Sequence, residues 1–219
     1  MKEEIVWLYG YPANEIDLVH NGVPVAQFAA ATEQRASSRM ALGLKEDEIA
    51  VVFAGSGWAR KGLRFAMAAA ADCGVPKMRL LVAGKGNEAL YRGHKAEFLG
   101  TAQDSAALFA AADIFLLPTI YDPFSNACLE ALAAGVPVIT TETNGFSEII
   151  EDEKHGSIVP DASDVASLRD ALHFWSDANR REEARPLLKA RAAQFDISFN
   201  VARTLEILSQ AASAASTVG

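Results

Sequence analysis

Apolar runs of strand length that alternate with helical patterns predict an α/β fold, a parallel sheet flanked by helices and followed by a helical C-terminal region. Three observations carry this prediction. Half of the 219 residues are apolar, enough for a sizeable core. The runs IAVVFAG (49–55), MRLLVAG (78–84), AEFLG (96–100), DIFLLP (113–118) and VPVITT (136–141) read as strands, and helical segments are expected between them near 62–73, 104–112, 125–134 and 145–151. Several of these strands end in Gly or Pro, as strand-to-helix turns do, which places a ligand crevice at the carboxyl ends of the sheet.

After GSIVP (156–160) the pattern is purely helical. DVASLRDALHFW is one helix, and ANRREEARPLLKARAAQF is a second that Pro186 is expected to kink or divide. A last helix spans about 198–211, and SAASTVG is expected to fray. Neither repeats nor long linkers interrupt the chain, so residues 1–219 are expected to form a single domain.

The formal charge of −8 argues against a nucleic-acid partner, because affinity for a phosphate backbone rests on clustered Lys and Arg. Any phosphate site must therefore be local. Cys73 and Cys128 lie in Ala-rich helical stretches without metal spacing and read as small buried hydrophobes rather than a disulfide. The apolar run 106–118 is cut by Asp113 and no secretory pattern is present, so a cytoplasmic protein that does not span a membrane is expected.

Three stretches carry candidate chemistry. In DIFLLPTIYDPFSNACLEALAAG, a strand and a loop lead to Ser125 or Asn126 as the N-cap of a helix whose free N–H groups face the crevice. Such a helix start attracts a phosphate or a sugar hydroxyl. At about 1.5 Å per residue, Glu130 lies about 6–8 Å further along the axis, about the separation of a nucleotide's diphosphate from its ribose hydroxyls. A solvated Glu130 and a turn-forming Asp122 remain the alternative. In FAGSGWARKGLRF, the flexible turn at Gly55 and Gly57 precedes Arg60 and Lys61, two cations at a helix start that can hold a diphosphate in place of a metal; an exposed basic pair is the alternative. LLVAGKGNEA fits the spacing of a dinucleotide fingerprint, but Asp104 precedes a helix instead of ending a strand, so Gly84 and Gly86 read as a tight turn that lets backbone approach a ligand base.

The remaining polar residues carry less. Asn144-Gly145 re-aims the chain before a short helix, with Glu148 directed toward the cleft. His20 and His94 lie near turns, His155 in a loop and His173 on a helix, none with a metal-spaced partner. No G-x-S-x-G or paired Cys/His arrangement supports hydrolase chemistry.

Together these stretches resemble the C-terminal, donor-binding domain of family-4 retaining glycosyltransferases of the GT-B fold, whose two Rossmann-like halves face each other. IDLVHNGVPVAQF (16–28) is similar to the family's Asn-Gly-Val segment, with Pro24 where Asp is usual. YDPFSNACLEALAAGVPVITT is similar to its acid, seven residues, Glu pattern, with Asp122 where Glu is usual. The resemblance implies that Arg60 and Lys61 bind the donor diphosphate and Glu130 the ribose. It further implies that Phe124, Ser125 and Asn126 offer backbone amides, that Gly55, Gly57 and Gly84 line the donor site, and that Asp122 reaches a sugar hydroxyl. GSGWARKGLRF looks closest to lipopolysaccharide-core glucosyltransferases, which implies a UDP-glucose donor, no metal or other cofactor, retention at the anomeric carbon, and a saccharide or lipid-linked saccharide acceptor. Because MKEEIVWLYGYP opens directly into the helix before the Asn-Gly-Val segment, an N-terminal acceptor domain is expected to be missing. The chain alone would then be inactive, and the full-length enzyme peripheral at the inner membrane. Two readings from other classes stay open: a non-catalytic nucleotide-sugar module, and an NAD-binding oxidoreductase half built on Gly84, Gly86 and Ala89.

Overall fold

The computed structural model describes residues 2–93 and 95–217. Met1 and His94, assigned above to a helix start and to a turn, lie outside the described residues, as do Val218 and Gly219 of the expected tail. Six parallel strands form one sheet: β1 (Ile49–Ala54), β2 (Met78–Ala83), β3 (Glu97–Gly100), β4 (Ile114–Leu117), β5 (Val138–Thr141) and β6 (Gly156–Val159), in the order β3-β2-β1-β4-β5-β6. β1 pairs in register with β2, Val51 opposite Leu80, and with β4, Val51 opposite Ile114. The chain winds outward in both directions from the β1/β4 seam, which is the topological switch point where a crevice opens beyond the strand ends.

β6 corrects the five-strand expectation. GSIV is short and begins with a residue of low strand propensity, yet Gly156 is required where it stands, since a Cβ there would lie 1.9 Å from the Val138 carbonyl oxygen of the neighbouring strand.

The described α-helices are α1 (Lys2–Tyr9), α2 (Val25–Ala31), α3 (Arg35–Ala41), α4 (Leu63–Asp72), α5 (Ser105–Ala111), α6 (Asn126–Ala133), α7 (Val165–Trp175), α8 (Ala178–Ala192) and α9 (Ile197–Thr217). Helices α4 and α7 pack together on one side of the sheet, whereas α2, α3, α5, α6 and α8 pack among themselves on the other. Between them, Phe53, Phe109, Phe115, Leu129 and Trp175 are fully buried.

Four local features depart from or add to the expectations. Helices α2 and α3 are seven residues each and have no side-chain cap at Pro24 or Gln34, so no start signal marks them. The 145–151 segment is a 3-10 turn, Gly145–Ile149, opened by Asn144, whose side chain accepts from the Phe146 amide. Helix α8 runs through Pro186 without division; the position is exposed, so water can take the carbonyl that the proline leaves without a donor. Helix α9 continues through Ser213 to Thr217 where fraying was expected.

Asp113, read in the sequence as an interruption, is a buried hub at the entrance to β4. It accepts from the Ala50 amide at 2.8 Å, Arg35 at 2.6 Å and Arg39 at 2.9 Å, with Arg181 at 3.6 Å. The same Arg35 and Arg39 donate to the carbonyls of Ala110, Ala111 and Ala112, which closes the C-terminal end of α5 with positive charge. Cys73 and Cys128 are both free and buried, and burial pushes the Cys128 thiol up to about 12.

Candidate functional site

The switch point sets the loop that follows β1 beside the loop that follows β4. The first, residues 55–62, is pinned to the turn after β2: the Gly55 amide donates to the Ala83 carbonyl at 3.0 Å and the Gly57 amide to the Lys85 carbonyl at 3.3 Å. Trp58 is 3% exposed, donates from Nε1 to the Gly55 carbonyl at 3.0 Å, and packs against Tyr91 and Phe98. The chain's own atoms fill the space around the second glycine pair. A Cβ on Gly84 would sit 2.0 Å from the Gly55 oxygen, and one on Gly86 2.2 Å from the Trp58 ring. Internal packing therefore accounts for the fingerprint-like spacing, and Asp104, the acid that fingerprint would need, caps α5 by accepting from the Ala107 amide at 3.0 Å.

Gly62 opens α4 in a left-handed conformation (φ 77°), and a Cβ there would lie 1.8 Å from the Pro118 oxygen at the end of β4. This close approach brings Arg60 and Lys61 to the seam. The Ile120 amide and the Thr119 hydroxyl both donate to the Arg60 carbonyl, at 2.8 and 3.1 Å. Arg60 itself is half exposed and donates from Nη1 to the Tyr121 carbonyl at 2.5 Å. The Lys61 stem lies along Gly55, with Cε 3.4 Å from where a Cβ would be, and its ammonium is ion-paired with Oδ2 of Asp122. Arg60 Nη1 stands 3.5 Å from that same oxygen. Two cations therefore converge on one carboxylate.

The second loop delivers the start of α6. Ser125 is its N-cap but makes no side-chain cap bond; its hydroxyl is buried close to Cys128, without a hydrogen-bond partner of good geometry among the described residues. Two of the three amides expected to face a ligand are engaged within the chain. The Phe124 amide donates to Asp122 Oδ1 at 3.2 Å, and the Ser125 amide to Asn144 Oδ1 at 3.2 Å. Among the described residues no partner is recorded for the Asn126 amide. Its side-chain Oδ1 accepts from Asn21 Nδ2 at 2.9 Å, so the Asn-Gly-Val segment also reaches this helix start.

Asn144 is the residue that sequence reasoning undervalued. It is fully buried, accepts from the Ser125 and Phe146 amides, and donates to Thr140 Oγ1 at 2.9 Å. Its neighbour Gly145 passes beneath Pro123, where a Cβ would lie 2.0 Å from the carbonyl oxygen. The signal was an Asn-Gly pair shortly after a strand, legible as a turn but not as a clamp. Glu148 pairs with His20 at 3.3 Å and borders a cavity of about 330 Å³ shared with Tyr121, Asp122, Pro123 and Glu142.

Glu130 lies just over one turn into α6, partly buried, with no hydrogen bond or ion pair recorded for its carboxylate among the described residues. Burial pushes its pKa up to about 7, since nothing offsets the desolvation of the charged form. The crevice thus offers a pair of cations beside a helix start, suited to an anionic diphosphate, and a carboxylate one turn away suited to hydroxyl donors. Among the described residues no group of three or more His, Cys, Asp or Glu side chains is placed to hold a metal ion, and no helix is long and apolar enough to cross a membrane.

Comparison with known proteins matches residues 48–175 to the family described as glycosyl transferases group 1. D-inositol 3-phosphate glycosyltransferase of Paenarthrobacter aurescens is 28% identical over 96% of this chain and 55% of its own length. The chain spans about half the length of the curated relatives it matches. The crystal structure of WaaG, a glycosyltransferase involved in lipopolysaccharide biosynthesis, superposes with a TM-score of 0.83 at 21% identity, covering 94% of this chain and 59% of that one. Anabaena HepE in complex with UDP-glucose superposes with a TM-score of 0.80 at 21% identity over 93% of this chain and 60% of that one. The parallel sheet and its flanking helices are the Rossmann-like half of a GT-B fold.

Proposed function

The chain belongs to the group 1 glycosyl transferases, and on that footing we propose that it is the donor-binding half of a retaining glycosyltransferase that takes UDP-glucose without a metal. The observation that carries this reading is the convergence of Arg60, Lys61 and the start of α6 at the β1/β4 switch point. Positive charge and an open helix start together suit a diphosphate. Glu130, one turn further on, accepts the ribose hydroxyls. The likeness to a UDP-glucose complex supports the donor, and the likeness to a protein of lipopolysaccharide biosynthesis supports a saccharide or lipid-linked saccharide acceptor. Such an acceptor would bring the whole protein to the inner membrane.

In the proposed reaction the bond between the sugar's anomeric carbon and the diphosphate oxygen breaks, and UDP leaves carrying the electron pair. The acceptor hydroxyl attacks the same face and passes its proton to the departing phosphate. Arg60 and Lys61 stabilise the charge that grows on that phosphate, in a site that must exclude water. The acceptor and the other wall of the cleft come from a second, acceptor-binding domain of the whole protein.

The test is a calorimetric titration of the chain with UDP, UDP-glucose, GDP and NAD, with and without magnesium. UDP and UDP-glucose should bind equally well in both conditions and better than GDP or NAD. Preference for NAD, or strict dependence on magnesium, would reject the reading.

A further inference from the structure

This inference rests on the donor-site reading and concerns Asp122, to which family resemblance assigns a sugar hydroxyl. We propose that Asp122 is a positioning residue: it anchors Lys61 and Arg60 where the donor diphosphate arrives, and it does not touch the sugar.

Both of its oxygens are already engaged. Oδ2 holds the Lys61 ammonium and faces Arg60 Nη1 at 3.5 Å, while Oδ1 accepts from the Phe124 amide at 3.2 Å. The side chain is 8% exposed, so little of it is open to the cavity it borders. The backbone cannot swing it outward either: the Asp122 amide donates to the Thr143 carbonyl at 3.2 Å, and its carbonyl accepts from the Gly145 amide at 2.9 Å. The missing methylene matters here. A glutamate would carry its carboxylate about one C–C bond further from the backbone, about 1.5 Å, and so could not keep this arrangement without moving the loop or the cations.

The cations, in contrast, keep capacity for a ligand. An ammonium has three donors and a guanidinium five, of which the anchor and the Tyr121 carbonyl take one each. Two positive charges against one negative leave the cluster cationic, so anchoring does not cancel its attraction for a diphosphate. Lysine loses more side-chain freedom than most residues when it is fixed. With its stem laid along Gly55 and its ammonium held by Asp122, Lys61 is ordered before the donor binds.

The deciding experiment titrates UDP, UDP-glucose and uridine into the chain and into Asp122→Asn, Lys61→Ala and the double variant, with thermal unfolding to show that each is folded. Asparagine keeps an oxygen for the Phe124 amide but turns away the ammonium. If Asp122 is the anchor, Asp122→Asn weakens UDP and UDP-glucose by the same factor, about tenfold, and leaves uridine unchanged; in the Lys61→Ala background, where only Arg60 is left to anchor, its effect shrinks. Loss confined to UDP-glucose would show a sugar contact and overturn the anchor. Tighter UDP binding would overturn it too, since Asp122 would then only neutralise Lys61. No UDP binding by the unsubstituted chain would overturn the donor-site reading, and the anchor with it.

Discussion

Glu130 is the group in the crevice whose chemistry burial sets most strongly. Its pKa of about 7 lies above the usual carboxylate value of about 4.3, so folding favours the protonated form. The corresponding stabilisation is complete below about pH 4.3 and lost as pH rises through about 7. Ribose hydroxyls donate best to the ionised form. UDP-glucose, whose phosphates do not titrate near neutrality, should therefore bind more tightly at about pH 8 than at about pH 6 and release a proton on binding. Calorimetry in buffers of different ionisation enthalpy would show this, and Glu130→Gln should flatten the profile. In the proposed reaction Lys61 works on the leaving group instead: in the whole protein Lys61→Ala should raise the barrier by about 2–4 kcal/mol, with an unchanged unfolding midpoint. Unchanged turnover would remove Lys61 from the mechanism. Arg60, Lys61, Asp122 and Glu130 could be singled out as candidates because each lies in a contiguous motif, and the structure brings the first three together. Asn144 was not, because it works by accepting an amide from a residue 19 positions away. Nor did the sequence show that the Phe124 and Ser125 amides are already engaged.

Among the elements, the strand-to-helix turns do most to place the site, and two glycines separate conformational demand from close approach. Gly57 (φ 75°) has nothing within 4 Å of an added Cβ, whereas the same atom on Gly62 (φ 77°) would meet the Pro118 oxygen at 1.8 Å. Gly57→Ala should therefore lose about 1 kcal/mol from the left-handed conformation alone. Gly62→Ala should lose about 3 kcal/mol, because overpacking adds to that strain, and it should also weaken UDP binding by moving Arg60 and Lys61 off the seam. Denaturant midpoints of the two variants, with matched UDP titrations, would test the contrast; equal losses would mean that the β4 contact does not fix the loop. The five strands legible in the sequence are mostly buried apolar runs bounded by turn residues. Strand β6 was missed because it is short and opens on Gly156, which lets it lie close to β5, and Ser157, which accepts from Trp175 Nε1, rather than on apolar residues. Helices α2 and α3 were missed because packing against α5 and α6 defines them, and no cap announces them.

Across the whole molecule the two ends of the sheet do different work. At the carboxyl ends, loops and one helix start form the crevice. At the opposite end, Asp113 gathers Arg35, Arg39 and Arg181 and ties α3 and α8 to the entrance of β4. Four residues of β4, about 13 Å of strand, separate this hub from the loop that holds Asp122. In a chain of net charge −8 both ends concentrate cations locally, but with opposite outcomes. The guanidinium groups of the hub are largely taken up by carbonyls and by one buried carboxylate, while the crevice leaves donors open. Removing the hub's charge should therefore affect folding and not binding. Asp113→Asn leaves three arginines around a neutral side chain and should destabilise the fold by about 3 kcal/mol, the usual result of breaking a buried ion pair from one side. Denaturant unfolding would read that loss, and a UDP titration at a temperature where the variant is folded should give the affinity of the unsubstituted chain. A matching loss of UDP affinity would mean that strain at one end of β4 reaches the other, and that the two ends are coupled through the strand.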